Sequence, residues 1–203
     1  MKVVLLNGSP RKAGNIFTAL NEMKKVFDAQ SIEAEIVEVG SKMLTGCHAC
    51  GACGKLGKCA IDDGANEIIE KMKEADAIVL GSPVYYASVN GTFKGFLDRA
   101  FYVAGGDMKF KVGASVVCCR RGGASATFDE LNKYFFITNM IVAGSTYWNS
   151  VHGGTPGECV KDEEGFQTMR NLANSISYIL KLKEKTEIQE PEVERGAFTN
   201  FIR

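Results

Sequence analysis

The chain has 203 residues, 45% of them hydrophobic and 24% charged, which suits one α/β domain with a full hydrophobic core. Lys plus Arg and Asp plus Glu stand at 24 each, so the balance argues neither for nucleic acid as a partner nor for an acidic solvating tail. The opening MKVVLLNGSP has too short an apolar run for a secretion signal, and no segment reaches membrane-spanning length. The expected location is therefore the cytoplasm, where seven cysteines, an odd number, point to metal or redox work rather than a disulfide scaffold.

The apolar run at residues 3–6 reads as a buried strand, and Ile16, Leu20, Met23 and Phe27 then follow helical spacing on one face. AEIVEV (34–39) is a second strand. After a cysteine-rich loop, Ile68, Ile69 and Met72 mark a helix near 64–74. The third strand, AIVLG (77–81), leads through SPVYYASVN into a helix carrying Phe93, Phe96, Leu97 and Phe101. GASVVCC (113–119) is the fourth strand, followed by a glycine-rich turn and a helix around 128–136. MIVAGS (140–145) is the fifth, and a loop with several glycines precedes the last helix, roughly 162–183. The expected division is a domain over 1–185, with a cysteine-rich loop at 46–60, and a tail over 186–203 whose Phe198 and Phe201 are available to dock on a neighbouring chain. Strands alternating with helices, with continuous apolar runs in the strands, predict a five-stranded doubly wound parallel sheet covered on both faces. Such a sheet binds its ligand beyond the carboxyl ends of its strands.

NGSPRKAGN (7–15) occupies the first of those loops. Backbone N–H groups at a helix start, the Ser9 hydroxyl, the Arg11 guanidinium and the Asn15 amide suit a phosphate; a plain tight turn is the alternative. It is neither a GxGxxG nor a GxxxxGK[ST] loop. In SPVYYASVN (82–90), Pro83 stiffens the turn, and Val84, Tyr85 and Tyr86 offer apolar or aromatic surface to a flat ring; packed tyrosines at a strand-to-helix turn are the alternative. CRRGGASA (119–126) brings Gly122 and Gly123, which permit close backbone approach, and Arg120 and Arg121, which suit a pyridine-nucleotide phosphate or plain solvent. Tyr147 and Trp148 suit the edge of a ligand or a subunit contact, and His152 is a candidate proton donor.

GSPRKAGN closely resembles the phosphate loop of the NADPH-dependent FMN reductase family, and ADAIVLGSPVYYASVNGTFKGFLDR (75–99) resembles that family's second signature. The resemblance implies a flavodoxin-like fold with strand order 2-1-3-4-5, the FMN phosphate on Ser9, Arg11 and Asn15 with Ile16 at the same turn, and the flavin ring against Pro83, Val84, Tyr85, Tyr86, Gly122 and Gly123. Ile16 departs from the Ser or Thr that relatives commonly carry, so one hydroxyl donor is lost there. NAD(P)H is implied as an electron donor, and a homodimer or homotetramer as the active unit.

Four cysteines, Cys47, Cys50, Cys53 and Cys59, form C-x2-C-x2-C-x5-C. Two successive x2 gaps resemble a ferredoxin opening, and Ala60 in place of a following Pro suits one self-contained cluster. Gly46, Gly51, Gly54 and Gly57 allow the tight wrap, and Lys55 and Lys58 would soften its negative charge. A zinc ion held by four thiolates is a rival, although the usual pair of separated knuckles is missing; free or redox-active thiols are another. The spacing resembles that of iron–sulfur flavoproteins, a branch of the same family, which implies one [4Fe-4S] cluster. Cys118 and Cys119 read as core residues, and Cys159 has no assigned role. No acid–base pair is marked. The expected function is an FMN-dependent oxidoreductase with a [4Fe-4S] cluster. The alternatives are a cluster-free NAD(P)H-dependent FMN or quinone reductase, and a non-catalytic flavin- or zinc-binding redox sensor.

Overall fold

Strand β1 (Lys2–Asn7) lies at the centre of the sheet, and every residue after its first is buried. The computed structural model describes residues 1–197, 199, 201 and 202. β1 pairs in parallel with β2 (Glu33–Glu38) and with β3 (Ala77–Tyr85); Val3 lies between Ala34 and Ala77, and Leu5 between Ile36 and Val79. β5 (Val112–Cys119) continues the parallel sheet beside β3, and β6 (Ile141–Val142) closes it, giving the order β2-β1-β3-β5-β6. This is the expected flavodoxin-like order of five main strands.

Alternation within the strands divides the core in two. Val3, Leu5, Ala77 and Val79 face α1 (Asn15–Ala29) and α6 (Glu163–Lys185). Val4, Leu6, Ile78 and Leu80 face α3 (Ala65–Glu74), α4 (Gly91–Ala104) and α5 (Ala124–Ile137). Both sheet faces are covered, so the strands read as unbroken apolar runs. On α1 the buried residues are Ile16, Ala19, Leu20, Met23 and Phe27, one helical stripe, with each large side chain contributing about 1.5–3 kcal/mol.

Two features depart from the expected elements. β3 continues four residues past position 81 and turns through Tyr86 and Ala87, at φ 51° and 58°, into β4 (Ser88–Val89), which pairs back on it antiparallel. Two successive left-handed residues are what a tight hairpin turn requires. Glu130 of α5 anchors the return, accepting from the Ser88 hydroxyl at 2.7 Å and the Val89 N–H at 3.1 Å. The fifth strand, expected over 140–145, shrinks to β6. The chain leaves the sheet, with the Ser145 hydroxyl bonded to the Tyr147 carbonyl and to Asn149 Oδ1, and rejoins β5 in parallel as β7 (Ser150–His152).

Gly8 sets the exit from β1. Its N–H donates to the Gly81 carbonyl at 2.8 Å, and a Cβ there would stand 2.2 Å from Phe93 Cδ1, so only glycine lets the loop pass beneath α4. Helices and strands end at Lys185; Phe201 in the tail is exposed, and Phe198 lies outside the described residues. Among the described residues no helix is long and apolar enough to cross a membrane.

Candidate flavin rim and cysteine cavity

Asn7, the last residue of β1, is buried and organises the loop that follows. Its Nδ2 donates to the Glu38 carboxylate at 3.0 and 3.1 Å, and its Oδ1 accepts the Ser9 N–H at 3.1 Å. Ser9 is itself buried, and its Oγ accepts the Arg11 N–H at 3.1 Å, which leaves the hydroxyl proton to donate. Gly14 begins α1 without a side-chain cap, so the first-turn N–H groups are open at the positive end of the helix. Arg11 is exposed beside them.

Asn15 is fixed from across the fold. Its Oδ1 accepts the Cys159 N–H at 3.2 Å, and its Nδ2 faces Gly153 and the Cys118 thiol. Cys159, which the sequence left without a role, is buried in a 3-10 turn (Glu158–Lys161) and fastens this residue. Burial pushes the Cys159 thiol up to about 11 and the Cys118 thiol up to about 12, so both stay protonated at neutral pH. The Ile16 side chain is drawn into the core, 1% exposed, so that position can offer a ligand only its backbone N–H. Thr18 does not restore the missing hydroxyl, because its Oγ1 donates to the Gly14 carbonyl at 3.1 Å.

The second and fourth rim loops pack against each other. Ser82 is buried and its Oγ accepts the Asn90 N–H at 3.1 Å, while Asn90 caps α4 by accepting from the Phe93 N–H at 3.2 Å. Pro83 and Val84 are half-buried, and Tyr85 and Tyr86 are exposed at the hairpin. Gly123 begins α5 at φ 89°; a Cβ on it would lie 2.8 Å from Val84 Cγ1 and 2.9 Å from Ala87 Cα. Gly122 is exposed next to it.

Arg120 and Arg121 point to different places. Arg121 lines a groove of about 410 Å³ with Gly122, Gly123, Tyr147, Trp148 and His152. The two aromatics meet edge to face, ring centroids 4.6 Å apart. Arg120 lines another cavity with His152, Glu158, Lys161 and Asp162. His152 donates its backbone N–H to Asp162 Oδ2 at 2.8 Å, with Nδ1 3.2 Å from the same oxygen. Burial works against the Asp162 carboxylate, but N–H donors from Gly165 and His152 hold it below its usual range.

Cys47, Cys50, Cys53 and Cys59 all line one cavity of about 240 Å³, with His48, Ile61, Arg99, Tyr102 and Val103 in its wall. All four thiols are free. Cys53 begins a single helical turn, α2 (Cys53–Leu56), which Gly57 ends at φ 67°. The Ala49 N–H points at Cys47 Sγ, 3.4 Å away. Asn66 brackets Cys59, accepting its N–H and donating to its carbonyl, both at 2.9 Å. Among the described residues no three His, Cys, Asp or Glu side chains converge to metal-ligating positions; the thiols stand around the cavity wall.

Reading the sequence missed the residue that builds this wall. Arg99 is 1% exposed on α4, within the same stripe as Phe96 and Ala100. A lone Arg inside an apolar helical stripe was the available signal. Its Nη1 donates to Asp63 Oδ2 at 2.6 Å and to the Thr45 carbonyl at 3.0 Å. Its Nη2 donates to Asp63 Oδ1 at 2.9 Å, the Ile61 carbonyl at 3.3 Å and Cys59 Sγ at 3.3 Å. Its Nε is buried with no partner among the described residues. These bonds gather Thr45, Cys59, Ile61 and Asp63, from both ends of the cysteine loop, on one side chain. Arg99 draws the loop down the flank of α4, about 13 Å along the helix axis from the Asn90 cap at the usual rise per residue.

Comparison with known proteins agrees with this geometry. The profile of the NADPH-dependent FMN reductases matches residues 1–155. An iron–sulfur flavoprotein of Methanocaldococcus jannaschii is 37% identical over 193 residues, covering 91% of this chain and 100% of its own. One of Archaeoglobus fulgidus is 38% identical over 196 residues, covering 96% and 87%. Among solved structures, RosB with a bound 8-demethyl-8-formylriboflavin-5'-phosphate intermediate superposes with a TM-score of 0.72 at 14% identity, over 100% of this chain and 97% of its own, a likeness of fold. The chain thus belongs to the NADPH-dependent FMN reductase family, in its iron–sulfur flavoprotein branch, and is a flavin-dependent oxidoreductase.

Proposed function

We propose that this protein is an FMN-dependent oxidoreductase that also carries a [4Fe-4S] cluster and passes electrons between a reduced carrier and an acceptor. The observation that carries the reading is the cavity shared by all four clustered thiols, with N–H donors from Ala49 and Arg99 already turned to sulfur. A single zinc ion, with bonds near 2.3 Å, demands thiolates that converge on one point, whereas a cubane holds its ligands apart around its own body. The C-x2-C-x2-C-x5-C spacing, without two separated knuckles, and relatives named iron–sulfur flavoproteins favour the second.

At the rim, the Ser9 hydroxyl, the Arg11 guanidinium and the first-turn N–H groups, those of Asn15 and Ile16 among them, hold the FMN phosphate. Pro83, Val84, Tyr85, Tyr86, Gly122 and Gly123 border the ring. When bound, FMN supplies two-electron and one-electron chemistry and the cluster one-electron chemistry. The protein's own residues position both. Arg121, in the groove beside Gly122 and Gly123, is the candidate partner for a phosphate of NAD(P)H, whereas Arg120 lines a separate cavity. The descent of the cysteine cavity along α4 supports a homodimer or homotetramer, in which one chain's cavity meets another chain's rim.

The test is anaerobic purification followed by an absorption spectrum and assays for flavin, iron, sulfide and zinc. The expected result is one FMN with about four iron and four sulfide per chain. Flavin with neither iron nor sulfide would move the protein to the cluster-free reductases. Failure to take up FMN in excess would overturn the reading entirely.

A further inference from the structure

Arg99 does more than tie the cysteine loop to α4. A purely structural clamp ends with each buried donor satisfied, because an unmade hydrogen bond at a buried group is destabilising. Here the guanidinium lines the cysteine cavity, puts one N–H on Cys59 Sγ at 3.3 Å, and keeps Nε buried without a partner among the described residues. Its counter-charge, Asp63, grips the Nη1 and Nη2 atoms, and its carboxylate is 14% exposed.

We propose that Arg99 sets the reduction potential of the group held by the four cysteines, and that Asp63 acts as its positioning residue and opposing charge. This rests on the cluster reading above. One electron taken up from an external reductant makes a thiolate-ligated cluster more negative, with no bond made or broken in the protein. A fixed cation and an N–H donor at a ligating sulfur favour that reduced state and raise the potential. The Asp63 carboxylate, bonded to the same Nη2 that faces Cys59 Sγ, partly offsets the cation. Arg99 is 1% exposed, so its charge is weakly screened on the protein side, while Cys47, Cys50, Ala60 and Tyr102 open the far wall of the cavity to solvent.

The two members of the pair should therefore act with opposite sign. The experiment is a dithionite titration, followed by electron paramagnetic resonance, of holoprotein loaded with FMN, iron and sulfide. Arg99→Gln is expected to lower the midpoint potential, and Asp63→Asn to raise it. Each change should reach at least tenfold in the one-electron equilibrium constant, about 59 mV. Arg99→Lys, which keeps the charge, should fall between wild type and Arg99→Gln. FMN content, set at the distant rim, reports that each variant is folded. If Arg99→Gln cannot hold the cluster, Arg99→Lys and Asp63→Asn still carry the sign test. Shifts of both residues in the same direction, no shift, or loss of the cluster from all three variants would assign the pair a structural role and overturn the proposal. Wild-type protein that binds FMN but neither iron nor sulfide is a separate result, visible before any titration, which removes the cluster reading and this inference with it.

Discussion

Arg99 and Asp63 are joined by two parallel hydrogen bonds of 2.6 and 2.9 Å across 36 positions of sequence. The pair fixes the returning end of the cysteine loop to the buried face of α4, and the Thr45 and Ala65 N–H groups complete the shell around the carboxylate.

That shell makes stability depend on pH. The Arg99 guanidinium, helped by the Thr45 and Ala65 N–H groups against the opposing effect of burial, holds the Asp63 carboxyl at about 2, below its ordinary 3.8. A carboxyl whose folded value lies below its unfolded value contributes stability that is complete above the unfolded value and lost as pH falls through the folded one. About 2 kcal/mol should therefore disappear between about pH 5 and pH 2. Urea unfolding of the metal-free chain, followed by circular dichroism across that range, checks it. Asp63→Asn should be weaker at pH 7 and lack this part of the acid slope.

Ser9→Ala should weaken FMN binding by about tenfold to a hundredfold, the worth of one hydrogen bond to a charged phosphate. Quenching of flavin fluorescence measures it. Thr18→Ala is the control, because that hydroxyl is turned back to the Gly14 carbonyl. Equal affinity for wild type and Ser9→Ala would remove Ser9 from the site.

Gly123→Ala should destabilise the rim from two directions. The residue sits at φ 89°, and the new methyl would meet Val84 Cγ1 at 2.8 Å. A cost of about 2 kcal/mol lowers the melting temperature by about 4–8 °C for a chain of this length. Gly122→Ala, whose Cβ meets nothing within 4 Å, should melt with wild type.

Replacing Cys47, Cys50, Cys53 or Cys59 singly with Ser should reduce bound iron and sulfide by more than about half while FMN is retained. Cys118→Ala, at a buried thiol of the main sheet, should leave iron unchanged. Iron loss from Cys118→Ala comparable to that from Cys59→Ser would contradict the four-cysteine ligand set.

The strand order came with the family resemblance; the layering and the chemical character of the loops were determined by the sequence itself. Those follow from local rules: Val3 to Leu6 can be buried on both faces only in a covered parallel sheet, Ile16 to Phe27 fall on one stripe, and the Asn7–Asn15 loop and the cysteine spacing are contiguous. Contacts between residues remote in the chain were decided by the tertiary structure alone. Cys159 reaches Asn15, Glu130 anchors the hairpin at Ser88, and Arg99 grips Asp63 and Cys59. No periodicity encodes such pairs, because each depends on which crossover lies over which helix. The cysteine motif was therefore legible as a candidate set of ligands, while its place beneath the rim, with a buried cation in its wall, had to come from packing.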